Sequence, residues 1–264
     1  MKVKEAITLF QYYQRSSFKK RTIASYLYLL KKFENLYGER PFDSVEADEI
    51  YHFLETLTQD HAKSSRRLRY AQLKAFYNFI ITRCSLDIKN PCNAPLLFKT
   101  FRMPKAVARK ILDKEVVDEM IYNTQSPRDR LMLELQARCG LRIGESLKIK
   151  VSDISERKIF LREPKSGKEA EVAFMPEPVA KRVNDYIKDQ GLQSNDRLFP
   201  ICYSTARYLI KRLGSNLHIR LTPHDLRRYS ATYASRNGVP LEIVSKVILR
   251  HQDLKTTRSL LGQG

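Results

Sequence analysis

The chain has 264 residues, with 48 Lys and Arg against 29 Asp and Glu, which gives a formal net charge of +19. Hydrophobic residues make up 42% of the chain, so a wholly disordered protein is excluded, and the length suits two domains. A protein this basic is attracted to polyanions, usually nucleic acid and otherwise an anionic membrane surface. A generic basic protein is the plain alternative at this point.

The sequence predicts a cytoplasmic protein with no membrane-spanning segment. It contains no run of about 18 apolar residues, and its amino-terminal residues lack the apolar core and cleavage site of a signal peptide. The cysteines Cys84, Cys92, Cys139 and Cys202 are scattered and form no CxxC pair. We therefore expect neither a disulfide framework nor a metal site, and a reducing compartment fits best.

The first hundred residues predict a bundle of four or five short helices. Apolar residues recur at helical spacing over 5–15, 22–37, 47–57 and 66–83. The predicted inward faces of these helices include Tyr13, Leu36 and Leu68. Asn90 and Pro91 end the last helix, because the residue before a proline disfavours helical dihedral angles.

Two basic clusters in this region stand at or near the predicted start of a helix, where backbone N–H groups also favour an anion. Residues 1–100 hold 17 Lys and Arg against 10 Asp and Glu. The clusters could simply be a solvated charged face, but the positive surplus favours contacts with phosphates. The predicted DNA-binding residues, including two from the segment that follows, are Lys19, Lys20, Arg21, Arg66, Arg67, Arg69, Arg102 and Lys105.

Residues 97–110 predict a basic linker, since this segment has no clear periodicity and contains a proline. A basic linker that joins two basic domains suggests a protein that closes around a duplex as a clamp. The sequence thus divides into a helical domain over 1–96, the linker, and a second domain over 111–264.

The second domain is expected to be mostly helical, with one small sheet. Capping residues and apolar spacing predict helices over 114–122, 128–138, 143–149, 178–189, 203–213, 223–235 and 240–249. Two strand-like segments, 158–161 and 170–174, flank a turn-forming Pro-Lys-Ser-Gly-Lys sequence. This pattern predicts a β-hairpin with Lys165 at its tip.

Two arginines and a histidine fall where a phosphate could be bound. Arg142 follows the turn-forming Gly140 at the start of a short helix, where its guanidinium could bind a phosphate or pair instead with Glu145. His224 and Arg227 stand three residues apart on a capped first helical turn. They suit binding and proton exchange at a phosphodiester, although such a pair often arises by chance in a basic protein.

Lys165 and His251 are the remaining candidates. A lysine at a hairpin tip can reach a neighbouring site as a proton donor, or it can merely solubilise the turn. His251 follows Arg250 after an apolar helix, where the two could instead form a cationic pair that complements the helix dipole.

The order of these motifs resembles the tyrosine recombinase (phage integrase, Xer-like) family over nearly the whole chain. The motifs are Gly-Leu-Arg-Ile-Gly-Glu, the Lys-Ser-Gly-Lys hairpin, His-Asp-Leu-Arg-Arg and the later histidine. The resemblance implies a mainly α fold, with a SAM-like core-binding bundle and a mostly helical catalytic domain that holds a small antiparallel β-sheet, the DNA breaking-rejoining fold. It also implies strand exchange on double-stranded DNA without metal or cofactor, usually by a homotetramer on two sites.

Residue by residue, the resemblance implies one pocket around the scissile phosphate. The expected roles are phosphate grip for Arg142 and Arg227, proton transfer and phosphate binding for His224, protonation of the leaving 5′ oxygen for Lys165, a phosphate hydrogen bond for His251, and support for Glu145. The nucleophile of such a pocket is a tyrosine, which forms a 3′-phosphotyrosyl intermediate.

At the expected tyrosine position, nine residues after His251, this chain has Leu260. Leucine cannot attack phosphorus, so we expect a site-specific recombinase-like protein that is inactive as it stands; the alternative is a non-catalytic DNA-binding regulator with the same fold. A truncated, frame-shifted or deliberately inactivated recombinase would carry such a change, as would a natural non-catalytic relative. A tyrosine from a partner subunit or from elsewhere in the chain is the third explanation. Arg250 is a smaller departure, because a glycine usually stands there.

Other tyrosines near the motifs do not have the expected placement. Tyr229 and Tyr233 follow the second arginine, and Tyr203 and Tyr208 lie on an earlier predicted helix. We expect each of these rings to pack in the core.

Overall fold

The computed structural model of the protein describes residues 1–102, 111–162 and 170–261. The chain divides into two compact units, Met1–Val107 and Ala108–Gly264. The predicted site residues Lys105 and Lys165 lie outside the described residues. Among the helices that are described, none combines the length and the apolar character needed to span a membrane.

The first unit is a helical bundle, and all four helices predicted here are present. Its helices are α1 (Val3–Ser17), α2 (Lys20–Tyr37), α3 (Ala47–Thr58), α4 (Lys63–Arg83) and α5 (Pro95–Thr100). Short 3₁₀ turns lie at Phe42–Ser44 and Pro91–Asn93. The core is rich in aromatic rings: Phe10 of α1 packs edge-on against Tyr26 and Phe76, with ring centroids 5.3 and 5.4 Å apart.

Three residues predicted to face this core are exposed instead: Tyr13 by 38%, Leu36 by 64% and Leu68 by 49%. Tyr70, which is fully buried, faces the core in place of Leu68. Because two residues along an α-helix rotate the side-chain direction by about 200°, Leu68 then faces outward. Tyr13 lies at the edge of the core, where it stacks on Phe79 at 4.5 Å. The apolar pattern alone could not distinguish the centre of the buried stripe from its margin.

The start of the predicted linker is part of the first unit. Helix α5 begins at Pro95, a residue suited to the first helical turn, and runs to Thr100. Leu97 and Phe101 are almost completely buried, with exposed fractions of 0% and 2%. Phe101 stacks on Tyr70 with a centroid distance of 5.6 Å. The apolar residues of this segment therefore serve the core of the first unit.

The second unit is mostly helical with one sheet. Its helices are α6 (Lys114–Tyr122), α7 (Pro127–Cys139), α8 (Ile143–Ser146), α9 (Glu177–Asp189), α10 (Tyr203–Asn216), α11 (Pro223–Arg236), α12 (Leu241–Ile243) and α13 (Leu254–Leu261). A π-helical turn, Val244–Ile248, continues α12. The helix predicted over 240–249 is thus present, but half of it is widened into a π turn.

The described strands of the second unit form an antiparallel sheet in the order β1 (Ile154–Ser155), β2 (Lys158–Arg162), β3 (Ala170–Phe174). Strands β2 and β3 were predicted, whereas β1, at two residues, was too short for its pattern to be detected. Ile159 of β2 pairs with Ala173 of β3, and both side chains are fully buried. The prediction of a mainly α fold with a small antiparallel sheet is confirmed.

Candidate functional site

The site is organised around Gly140, which ends α7 in a left-handed conformation with φ +60°. A Cβ atom at this position would lie 2.9 Å from the backbone oxygen of Ile248 and 3.3 Å from Oγ of Ser230. Both the dihedral angle and the close approach therefore require glycine. This contact brings the start of α8 against α11 and the π-helical turn, three segments that are distant in sequence.

Arg227 of α11 lies at the centre of this junction and is only 2% exposed. Its Nη1 donates to the backbone oxygen of Gly140, and its Nη2 donates to that of Leu249. Burial, together with repulsion from Arg142 and Arg250, lowers the pKa of Arg227 well below its ordinary value. The protein therefore holds this guanidinium in a position that an anion would stabilise.

Arg142 begins α8 and binds Glu145, the partner that the sequence offered as an alternative to phosphate. The backbone N–H of Arg142 donates to Glu145 Oε2 at 2.9 Å, and its Nη1 donates to Oε1. Burial raises the pKa of Glu145, but Arg250 and Arg142 outweigh burial and hold that pKa below its ordinary value. The Arg142 side chain stays 21% exposed, so the pair leaves this guanidinium accessible to solvent.

His251 is half-buried beside the arginines. Its Nδ1 lies 2.9 Å from Oγ1 of Thr257, which in turn donates to Oγ of Ser245 at 2.8 Å. Its backbone N–H donates to the oxygen of Ser245 at 2.9 Å. Burial, followed by repulsion from the three arginines, lowers the pKa of His251 to about 4. The ring is thus neutral near pH 7 and held by residues of the π turn and α13.

The π-helical turn explains why two backbone oxygens point into the site. The N–H of Leu249 donates to the oxygen of Val244 at 2.9 Å, the five-residue step of a π turn. The helix ends there, so the oxygens of Ile248 and Leu249 have no later helical partner and accept from arginine side chains instead. Sequence reasoning missed this device, since apolar spacing does not distinguish a π turn from an α-helix.

His224 and Leu260 lie on helices α11 and α13 of the second unit. His224 is exposed on the first turn of α11, one turn before Arg227. Leu260 of α13 is half-buried and packs on a small cluster made of Ala231, Val244 and Leu249. Leu260, at the position expected for a nucleophile, thus packs on the cluster that contains Leu249, whose backbone oxygen accepts a hydrogen bond from Arg227.

The basic residues predicted for the first unit fall into two groups. Lys19, Lys20, Arg21 and Arg102 are exposed, whereas Arg66, Arg67 and Arg69 are half-buried. The second group all lie over aromatic rings: Arg66 over Phe101 at 5.3 Å, Arg67 over Tyr70 at 5.1 Å and Arg69 over Tyr28 at 4.7 Å.

Two of these arginines are also engaged by polar partners. Arg66 forms an ion pair with Glu55. Nη1 of Arg69 donates to the backbone oxygen of Ser25 at 2.7 Å and to Oε1 of Gln72 at 3.0 Å. These guanidinium groups therefore hold α4 against neighbouring helices, a role that the charge pattern alone did not reveal.

The expectation that the four nearby tyrosines pack in the core is right only for Tyr229, which is 3% exposed and lies 3.4 Å from Nη1 of Arg138. Tyr233, Tyr203 and Tyr208 are exposed by 40%, 41% and 65%. Helices α10 and α11 each bury one face, and these rings fall outside it.

The arrangement has the chemistry of an anion-binding site. Within 111–162 and 170–261 it gathers Arg142, Arg227 and Arg250 with His251, offset by the carboxylates of Glu145 and Glu171. Planar guanidinium groups suit phosphate oxygens, and partial burial strengthens the attraction. Across the described residues, no group of three or more His, Cys, Asp and Glu side chains is placed to hold a metal ion.

Comparison with protein families assigns both units. The phage integrase family matches residues 110–260, more than half of the chain. The amino-terminal SAM-like domain of phage integrases matches residues 8–84. The chain therefore belongs to the phage integrase family.

Individual relatives agree with this assignment. The chain is 32% identical over 151 residues to tyrosine recombinase XerA of Saccharolobus solfataricus, a match that covers 56% of this chain and about half (50%) of that protein. It is 25% identical over 254 residues to tyrosine recombinase XerA of Pyrococcus furiosus, with 90% of this chain and 82% of that protein covered.

Solved structures show the same fold. The Tn1549 transposon integrase in complex with transposon right end DNA superposes with a TM-score of 0.78 at 17% identity, covering 98% of this chain and 94% of that one. A lambda integrase tetramer bound to a Holliday junction gives a TM-score of 0.76 at 15% identity, covering 100% of this chain and 78% of that one.

Proposed function

We propose that this protein is a site-specific recombinase-like protein that binds duplex DNA and holds one backbone phosphate in the pocket of Arg142, Arg227 and His251. The observation that carries the proposal is the convergence of Arg142 and Arg227 on a single junction at Gly140 and Glu145, where burial and mutual repulsion both disfavour the charged form of Arg227. A phosphate would relieve that repulsion. The family assignment and the DNA-bound structures of integrases support DNA as the source of the phosphate.

The pocket suits phosphodiester cleavage because attack on phosphorus passes through a pentacoordinate state with more negative charge on its oxygens. Guanidinium groups fixed before the reaction stabilise that charge without reorganisation. By the family resemblance, His224 assists proton transfer and Lys165 protonates the departing 5′ oxygen. With a tyrosine at position 260, the Tyr Oη–P bond would form, the P–O5′ bond would break, and the 5′ hydroxyl would leave.

With Leu260 at this position, the reaction cannot reach the step in which the protein–phosphorus bond forms. A leucine side chain has no oxygen, so no phosphoester bond can form at this position. We therefore propose that the protein binds and polarises a phosphodiester but does not cleave it. The same observation favours a second candidate, a DNA-binding regulator that uses the recombinase fold to occupy recombination sites.

Assembly and location complete the proposal. The lambda integrase tetramer on a Holliday junction supports assembly of several copies on paired DNA sites. Residues 1–96 would bind the core of the site and residues 111–264 would hold the phosphate. The four cysteines carry free thiols, the state that the reducing cytoplasm maintains, and we place the protein there.

The test begins with binding sites recovered by selection from a pool of random duplexes. On a nicked duplex that carries a selected site, the wild-type protein should bind in a salt-sensitive manner and form no covalent adduct. The Leu260→Tyr variant should form a 3′-phosphotyrosyl adduct, detected as a shifted band in denaturing gels and located at position 260 by mass spectrometry.

Two further variants give this test its controls. Leu260→Phe fills the same space without a hydroxyl and should form no adduct, and Arg227→Ala combined with Leu260→Tyr should lose it. An adduct with the wild-type chain would show a displaced nucleophile and contradict the non-cleaving proposal. Adducts that persist without Arg227 would contradict the assigned phosphate pocket.

A further inference from the structure

Arg250 has an unusual backbone conformation for its residue type. Its φ is +52°, in the left-handed region that glycine occupies readily and that an L side chain adopts at a cost. Its side chain is nevertheless 4% exposed and directed into the junction rather than into solvent. A residue held in this conformation is over-determined by its surroundings, and such positions concentrate at functional sites.

The contacts of Arg250 identify those surroundings. Its Nη2 donates to the backbone oxygen of Gly140 and to Oε2 of Glu145, both at 3.1 Å. Its Nη1 donates to the backbone oxygen of Ile248 at 2.8 Å. Its Nε lies 3.6 Å from Oε2 of Glu171, on strand β3. One side chain thus links the start of α8, the π turn and the sheet.

Two of these acceptors are shared with the proposed phosphate-binding arginines. The Gly140 oxygen also accepts from Arg227, and Glu145 also accepts from Arg142. We propose that Arg250 is a positioning residue that fixes the spacing of Arg142 and Arg227, because its guanidinium group donates hydrogen bonds to an acceptor of each, Glu145 and the Gly140 oxygen. This inference rests on the proposed function of the pocket.

The guanidinium shape is essential to this role. A planar fork can donate in fixed directions to a backbone oxygen and a carboxylate at once, whereas an ammonium is a compact point charge. Lysine at this position would supply the charge without the fixed geometry. Glycine would adopt the positive φ without strain, but it has no side chain to donate hydrogen bonds to the Gly140 oxygen and Glu145.

Orthovanadate, whose five-coordinate form resembles phosphorus under attack, is the probe for the test. Its affinity is measured by calorimetry on the full chain. Arg250→Gly and Arg250→Lys should each weaken vanadate binding by about tenfold, the effect of one misplaced charge-assisted hydrogen bond. Arg227→Ala should abolish binding. Arg236→Ala removes the same charge from the exposed end of α11 and should leave the affinity unchanged.

These variants separate the two proposals. If Arg227→Ala abolishes binding while Arg250→Gly or Arg250→Lys keeps wild-type affinity, the positioning role is wrong and the pocket stands. If Arg227→Ala binds like the wild type, the pocket itself is wrong, and the role of Arg250 is overturned with it. Because glycine accepts a positive φ, Arg250→Gly should fold, and a cooperative thermal transition checks this.

A second readout reports how close Arg250 lies to His251. The ring of His251 faces Arg142, Arg227, Arg250 and Asp253, and the arginines contribute to its low pKa. In Arg250→Gly, a proton NMR titration should show the pKa of His251 moving up toward its ordinary value. An unchanged titration would place Arg250 outside the pocket and contradict the proposal.

Discussion

Arg69 of the first unit and two arginines of the second unit, Arg227 and Arg250, have different surroundings. In the first unit, Arg69 lies over the ring of Tyr28 and donates to the neutral oxygens of Ser25 and Gln72. In the second unit, Arg227 and Arg250 are almost fully buried, share the Gly140 oxygen and repel each other.

This difference shows why a count of basic residues does not locate a binding site. An arginine whose donors are matched by neutral acceptors and an aromatic face stabilises the fold and gains little from an added anion. Arginines crowded together in a buried junction repel one another, and a bound anion would relieve the repulsion that nearby carboxylates leave. The contrast leads to predictions that follow from the largest expected effect to the smallest.

The junction of the second unit depends on a glycine, so Gly140→Ala should lower the free energy of unfolding by about 2–3 kcal/mol. The added Cβ would meet the Ile248 oxygen at 2.9 Å and the φ of +60° would be strained. Gly144→Ala is the matched control, because its Cβ would meet nothing within 4 Å. Urea unfolding should show a change within about 0.5 kcal/mol for that control. Equal losses would mean that the junction is not tightly packed.

The burial of His251 and the positive charge crowded around it should also appear in the pH dependence of stability. His251 has a folded-state pKa of about 4 against an ordinary value of 6.5, so between these values the unfolded chain binds the proton more readily. Its contribution is fully present above pH 6.5 and is lost as the pH falls toward 4. Urea midpoints measured across this window should fall less steeply for His251→Gln than for the wild type. Identical slopes would show that the imidazole is not held neutral.

The smallest effects are expected in the first unit, where two buried glutamines differ in their partners. Gln72 donates to Oγ of Ser25 at 2.9 Å and accepts from Arg69, so Gln72→Leu should destabilise the unit by about 1 kcal/mol. The amide of Gln14 is fully buried, with no hydrogen-bond partner among the described residues, so Gln14→Leu should stabilise it by about 1 kcal/mol. Thermal unfolding of both variants checks the opposite signs.

The sequence predicted several helix starts well because they carry strong local signals: Thr222 and Pro223 mark the start of α11, and Pro127 marks that of α7. The expectation that Asn90 and Pro91 end the preceding helix was wrong, since α4 already ends at Arg83 and Asn90 caps a separate 3₁₀ turn. Arg142, Arg227 and His251 could be selected because the order of their motifs resembles a known family. Such signals depend on neighbouring residues and on motif order, which are both visible in a linear sequence.

Other features depend on contacts between distant residues and were not predictable. Arg69 donates to the backbone oxygen of Ser25, 44 positions earlier, a contact that the charge pattern did not reveal. The left-handed backbone of Arg250 has no signal in its residue type, since arginine rarely adopts it. Glu171 was read only as a strand residue, because its approach to Arg250 arises from the tertiary fold.

The central proposal is that Arg227 contacts one particular DNA phosphate, and Arg69, which is held by Ser25 and Gln72, serves as the comparison. The most direct measurement replaces each backbone phosphate of a selected duplex in turn by an uncharged methylphosphonate and compares affinities of the wild type, Arg227→Ala and Arg69→Ala. We predict one position where neutralisation weakens the wild type and Arg69→Ala by about 1–3 kcal/mol but has little effect on Arg227→Ala. Equal losses in all three proteins at every position would contradict the account.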